Sequence, residues 1–197
     1  MSAVLAPVVF AMHLSACSQQ YPVVLQAPTR RHLAHAMAES GLHLTAIRDN
    51  TTGRSFIPET QAEAVAIARQ LLAAGHRLDA GIMQVTDRAS AKDAPGSQWA
   101  HYGLTVETAF DAPANICAGA RILGEDWSIE RRTACRYQTG KPDCATGYPE
   151  MVQKAELRIQ QAVDSADAEP ASQTKPTDEP YDLSGGDDTS LVTSYER

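Results

Sequence analysis

The sequence predicts a mainly α domain (α+β) with at most a small β-hairpin, followed by a disordered acidic tail. Three observations lead there. Several segments repeat apolar residues at helical spacing and carry start or stop signals. One stretch, Asn50-Thr51-Thr52-Gly53, is rich enough in turn formers to close a hairpin. The charge is also unevenly divided: of the net −7 carried by 197 residues, all falls between Asp164 and Arg197, where nine acids face two bases. Residues 1–163 are electrically neutral and read as one domain; residues 164–197, rich in Ser, Thr, Pro and Asp, bury too little apolar surface to offset their ordering entropy. A hydrophobic content of 43% excludes wholesale disorder. No apolar run reaches the roughly 18 residues of a membrane helix. The acidic balance argues against nucleic acid as a partner.

The elements follow in order. Pro7 can open an amphipathic helix with Val9, Phe10, His13, Leu14 and Cys17 on one face. The same stretch also has a leader-like character, because Leu14-Ser15-Ala16-Cys17 matches a lipoprotein cleavage pattern. The missing basic n-region and the interrupting His13 favour the core helix. Pro28-Thr29 starts a second helix that Gly41 stops, with Leu33, Ala36, Met37 and Ser40 as its stripe. The hairpin stretch spans Ile47 to Pro58. A helix over 59–74 carries Ala62, Val65, Ala66, Arg69, Leu72 and Ala73 at helical spacing and ends at Gly75. Gly81 to Val85 is apolar but short, and 86–103 reads as a loop with a helical turn near Trp99. Thr105 caps a short helix, and further helices are expected over 115–127, 129–137 and from Tyr148 to about Val163.

Four cysteines (Cys17, Cys117, Cys135, Cys144) permit three pairings. No C-x-x-C pair is present, which disfavours structural zinc and redox motifs. Cys135 and Cys144 flank a Gly/Pro loop that a bridge would staple, leaving Cys17 and Cys117 to join two apolar helices. The alternative is four buried thiols.

The chemistry centres on Glu39, in Ala38-Glu39-Ser40-Gly41. A helix carboxyl end carries partial negative charge, and apolar neighbours disfavour a carboxylate further. Both effects raise the pKa and suit the group to general-acid work. Five more segments follow it: the loop Arg48-Asp49-Asn50-Thr51-Thr52-Gly53, then, after a helix, Asp79-Ala80-Gly81-Ile82-Met83-Gln84-Val85, Tyr102-Gly103-Leu104-Thr105, Asn115-Ile116-Cys117-Ala118-Gly119-Ala120 and Cys135-Arg136-Tyr137-Gln138-Thr139-Gly140. This ordered set, spanning roughly residues 10–160, resembles the lytic transglycosylase domain of bacterial type IV secretion and conjugation systems, which has a goose-type-lysozyme-like fold.

The resemblance implies a catalytic Glu39 and substrate-binding roles for Ser40, Gly81, Ile82, Met83, Gln84, Tyr137 and Gln138. Ser40 would help fix the Glu and the glycan, and Gly81 to Gln84 would line the cleft floor. The Tyr137 hydroxyl would bond the catalytic carboxyl. Gln138 departs from the family's Asn by one methylene, and Ile82 from its commoner Leu. The implied reaction cleaves the bond between N-acetylmuramic acid and N-acetylglucosamine in peptidoglycan and closes a 1,6-anhydro ring, with one carboxylate as acid and then base and no cofactor. The resemblance also implies a periplasmic location, with a lipid anchor at Cys17 as an alternative, and partners in the secretion apparatus reached through the tail.

Three rival readings remain. Asp49 or Asp79 could serve as a second carboxylate, though each reads more simply as a turn or cap residue. His32, His35, Glu39 and His43 have metal-like spacing, but Gly41 stops the helix before His43 and Arg30-Arg31 lie close by; the histidines then read as solvated, with no metal expected. A glycan-binding or assembly scaffold that has lost turnover is the alternative function, favoured by Gln138 and the long tail.

Overall fold

A computed structural model of the chain describes residues 4–87, 97–129, 133–139 and 146–168. It contains seven α-helices and a four-stranded antiparallel sheet among those residues. The mainly α expectation holds.

Helix α1, Pro7–Gln20, has proline in its first turn and buries Phe10, Leu14 and Cys17. That is the core-helix reading of the amino-terminal segment, with Val9 and His13 only half-buried at the edge of the stripe. A disulfide joins Cys17 to Cys117 of α5, Ala112–Ile129. Cys17 is therefore a buried, bridged residue in this structure, and its sulfur carries no thiol for a lipid thioether. Cys144, the expected partner of Cys135, lies outside the described residues. A short 3₁₀ helix, Pro22–Gln26, follows α1 and was not foreseen; it lies against α5 at Gly124, where a Cβ would stand 2.2 Å from the Val23 carbonyl oxygen.

Helix α2, Thr29–Ser40, ends at Gly41 in the left-handed region (φ 62°), as the stop signal predicts. Its buried face is not the expected one. His32, Ala34, His35 and Ala36 are buried, whereas Leu33, Met37 and Ser40 are half-buried. The helix is covered on two sides: Ala36 belongs to the main core, and Ala34 packs with Tyr148, Val152 and Ala155 of the last helix, α7, Tyr148–Ala168. His32 and His35, expected in solvent, are each 0% exposed for that reason. Ion pairing of Arg31 with Glu156 (3.0 Å) and an Arg30–Gln160 hydrogen bond (3.2 Å) fix α7 along α2.

The sheet has the order β2-β1-β3-β4, with β1 Ile47–Asp49, β2 Arg54–Phe56, β3 Leu78–Ala80 and β4 Val85–Thr86. Ile47 pairs with Phe56 on one side and Ala80 on the other, so β1 is central. The β1–β2 hairpin was foreseen; β3 and β4, three and two residues long, were not. Helix α3, Gln61–Ala73, opens with a complete capping box between Thr60 and Glu63. It buries Ala64 and Ala68 and leaves Ala62, Ala66, Arg69 and Ala73 exposed, a rotation from the expected stripe. Alanines occur on both faces of α3, so their spacing alone does not define the inward side.

The short α4, Gln98–His101, places Trp99 so that its indole N–H donates to the Val85 carbonyl (2.8 Å). A 3₁₀ turn, Thr108–Phe110, leads into α5, and α6, Thr133–Thr139, begins later than expected. Helix α7 runs five residues beyond the predicted end at Val163, into the stretch assigned to the tail. The remaining tail residues, 169–197, lie outside the described residues.

Candidate active site

Glu39 occupies the last turn of α2, half-buried between that helix and α7. Burial raises its carboxyl pKa to about 7. A hydrogen bond donated by the Tyr148 hydroxyl to Glu39 Oε1 works the other way, and the nearby charge of Asp79 adds to the rise. A carboxyl with this pKa is about half protonated at neutral pH, so it can give a proton and take one back.

Ser40 holds the end of the helix in place. Its hydroxyl lies 2.7 Å from the Ile82 carbonyl and 3.1 Å from the Ala36 carbonyl, which ties α2 to the turn over residues 81–84. That turn depends on glycine. Gly81 has φ 77°, and a Cβ there would stand 2.3 Å from the Ala109 carbonyl oxygen and 2.4 Å from Asn115 Nδ2. Asn115, 1% exposed, organises the loop with three bonds: it accepts from the Met83 N–H (2.8 Å) and donates to the carbonyls of Ala80 (3.0 Å) and Ala109 (2.8 Å).

Residues 81–84, expected to line the cleft floor and bind substrate, lie in the turn under the end of α2. Gly81 is buried, Ile82 and Met83 are 0% exposed, and their carbonyls receive Ser40 and Tyr137. Gln84, at φ 47°, donates its amide to the carbonyls of Ala46 (3.0 Å) and Gly81 (2.8 Å). The segment supports the floor from below; the apolar side chains turn inward because core lies under the turn.

The expected bond between Tyr137 and Glu39 is corrected. The Tyr137 hydroxyl donates to the Met83 carbonyl (2.8 Å), and the phenol that reaches Glu39 is Tyr148. Tyr137 remains close enough for the Glu39 charge, after burial, to push its pKa up. Gln138 is exposed, and its amide oxygen accepts from the Thr146 hydroxyl (2.9 Å), away from Glu39.

Sequence reasoning missed Tyr148 and His35 as parts of this site. Tyr148 is the first residue of α7, and the only local signal, Gly147-Tyr148-Pro149, marks a helix start rather than a site. His35, one turn before Glu39 on α2, has its Nδ1 3.0 Å from the Tyr148 hydroxyl oxygen. Its ring stands edge-on to Tyr137 with centroids 5.0 Å apart. Burial, then the charges of Arg31 and His32, lower its pKa to about 3, so the imidazole is neutral. His32 Nε2 lies 3.0 Å from the Val24 carbonyl oxygen. Two of the three histidines weighed as metal ligands, His32 and His35, are thus engaged in the core, and His43, beyond Gly41, is half-buried.

Of the two other carboxylates, Asp49 is a turn residue. It is 1% exposed and accepts from the Thr51 and Thr52 N–H groups (2.9 and 3.3 Å), the Thr52 hydroxyl and His76 Nδ1 (2.9 Å). Asp79, half-buried on β3, adds its charge to the rise at Glu39.

Comparison with known proteins gives relatives of one name. The chain is 31% identical over 167 residues to protein virB1 of Agrobacterium fabrum, covering 77% of this chain and 63% of that protein. It is 31% identical over 176 residues to protein virB1 of Rhizobium radiobacter and to that of Agrobacterium tumefaciens strain 15955, covering 83% of this chain and 66% of each. The chain therefore spans somewhat less than two thirds of the length of these curated relatives. No protein-family model matches the chain. No solved structure matches it.

Proposed function

The chain belongs to the VirB1 family, and from that premise we propose that it is a peptidoglycan lytic transglycosylase serving a type IV secretion or conjugation system. The observation that carries the reading is Glu39: a half-buried carboxyl at a helix end, raised to about 7, with one phenol as its donor. Most glycosidases pair two carboxylates across the bond. Asp49 is used up by its turn, which supports a mechanism that needs only one.

In that mechanism protonated Glu39 gives its proton to the glycosidic oxygen between N-acetylmuramic acid and N-acetylglucosamine. The substrate's own N-acetyl group stabilises the anomeric carbon as the bond breaks. Glu39, now a carboxylate, takes the proton of the muramic acid C6 hydroxyl, whose oxygen closes the 1,6-anhydro ring. The Tyr148 bond steadies the carboxylate between the two steps. Ser40 and the Asn115-braced turn keep the end of α2 at a fixed height above the floor. The catalytic unit is the domain through α7, it acts in the periplasm on glycan strands, and the acidic segment beyond it contacts other secretion components. An assembly that forms normally with a chain ending at Ala168 would remove that last assignment.

The test is mass spectrometry of products released from purified sacculi. Wild type should release fragments ending in 1,6-anhydro-N-acetylmuramic acid, and Glu39→Gln should lose roughly 10²–10⁴-fold of that release. Reducing-end sugars from wild type would mean hydrolysis instead. The second reading, a glycan-binding scaffold, is favoured by Gln138, which is bonded to Thr146 rather than presented to the site. It predicts sacculus binding without anhydro product.

A further inference from the structure

The mechanism needs the Tyr148 O–H directed at Glu39, and nothing in a phenol fixes where its single O–H points. Tyr148 has two neighbours that could accept that proton: Glu39 Oε1 and His35 Nδ1, the latter 3.0 Å from its oxygen. A neutral imidazole has one N–H, and its position decides between them. With the proton on Nε2, a buried donor would be stranded, because His35 Nε2 has no hydrogen-bond partner among the described residues. Nδ1 would then compete with Glu39 for the phenol proton. With the proton on Nδ1, His35 donates to the phenol oxygen, and the phenol O–H has one remaining destination.

We propose that His35 is a positioning residue, whose Nδ1–H donates to the Tyr148 oxygen and thereby commits the Tyr148 hydroxyl to Glu39. The proposal rests on the transglycosylase reading for its kinetic consequence, though not for its geometry. The charged and titratable groups around His35 are few. Arg31 and His32 lie on its own helix, and Arg31 is paired with Glu156 of α7. Tyr137 of α6 stands edge-on to the ring, and Tyr148 of α7 makes the bond. Glu39 is reached through Tyr148, with Asp79 of β3 acting on it from the sheet. Burial keeps His35 neutral, so it orients a proton without supplying one. A leucine would fill the same site without a polar atom to satisfy, so packing alone gives no reason for a histidine here.

The tests use the full chain. Nitrogen-15 NMR of histidine-labelled wild type should find His35 neutral with Nδ1 protonated and Nε2 bare. His35→Leu, which cannot donate, should lower kcat about tenfold with KM within about twofold. Freed from a committed phenol bond, Glu39 should titrate higher, moving the alkaline limb of the rate profile up by about half a pH unit. His35→Asn carries an N–H close to the Nδ1 position and should recover kcat to within about threefold of wild type. In a Tyr148→Phe background His35→Leu should cost nothing further. The proposal is overturned by an Nε2–H tautomer in wild type, by His35→Asn performing no better than His35→Leu, or by an undiminished effect of His35→Leu in Tyr148→Phe. If wild type cleaves no glycan, the transglycosylase reading falls by itself. The tautomer and a carbon-13 titration of Glu39 in wild type and His35→Asn then decide the role of His35 alone: a bare Nε2 and a matching titration support it, and an Nε2–H or a Glu39 shifted in His35→Asn overturns it.

Discussion

The carboxyl end of α2 and the β1–β2 turn each take a carboxylate out of water, and they treat it in opposite ways. At the turn, burial of Asp49 works against its charge, but hydrogen bonds from the Thr52 hydroxyl, His76 and the Thr51 and Thr52 N–H groups outweigh it and hold the group at about 2. At the helix end, burial of Glu39 is opposed by one phenol and reinforced by Asp79, and the group rises to about 7. Four hydrogen bonds lower the Asp49 pKa, and one opposes the rise at Glu39. A carboxylate surrounded by N–H and O–H groups becomes a fixed anion that organises a turn. One given a single donor stays able to exchange its proton, which is what acid and base chemistry requires.

Removing the exchangeable carboxyl tests this contrast most severely. Glu39→Gln should cost roughly 10²–10⁴-fold in glycan cleavage, read as release of anhydro products. The turn that supports Glu39 comes next. Gly81→Ala would drive a Cβ against the Ala109 backbone at a left-handed φ, and should lower unfolding free energy by about 2–4 kcal/mol in denaturant titration.

The pH dependence of stability separates the two regions directly. For Glu39 the folded pKa lies above the ordinary value of 4.5, so the native state holds the extra proton between 4.5 and about 7. Stability from this group is full below 4.5, falls as pH rises through that window and is flat above it. Allowing for partial exposure, the loss should be about 2 kcal/mol, and Glu39→Gln should abolish it, making the variant more stable than wild type at pH 8. Asp49 has the reverse sign: its contribution is full above 3.8 and is lost as pH falls towards 2.

Two smaller effects sharpen the comparison. Tyr148→Phe removes the one donor from Glu39; the alkaline limb of the rate profile should move to higher pH, with about tenfold loss in kcat. Asp49→Asn should lower the unfolding temperature at pH 7 and leave that limb where it is, since the Asp49 carboxylate is bonded within its own turn and to His76. Thermal unfolding and a rate profile on the same variant check both halves.

What could be read from the chain in advance divides along similar lines. Features that are written locally were legible. Thr60 and Glu63 mark the start of α3, Gly41 the end of α2, and Asn50 to Gly53 the hairpin, because caps and turns act over four or five residues. Glu39 was legible for the same reason, sitting next to its helix stop. Features set by tertiary packing were not. The inward faces of α2 are defined by distant partners: Tyr148 of α7 meets His35, and the Val24 carbonyl of the 3₁₀ helix meets His32. Strands β3 and β4 are too short to show a period. The phenol on Glu39 was assigned to Tyr137, while the residue that makes the bond was read as the opening of a helix. The Cys17–Cys117 bridge is an exception: it was among the pairings the sequence put forward, and the packing of α1 on α5 brings the two sulfurs together.

The hydrogen bond between Tyr148 and Glu39 spans 109 positions of the chain. A polypeptide leaves the ribosome from its amino end, so Glu39 emerges long before its phenol does. Until the start of α7 follows, α2 has neither the wall that buries its carboxyl nor the donor that steadies it. The buried carboxyl and its donor thus come together only when most of the chain has been made, which builds a delay into the order of synthesis itself.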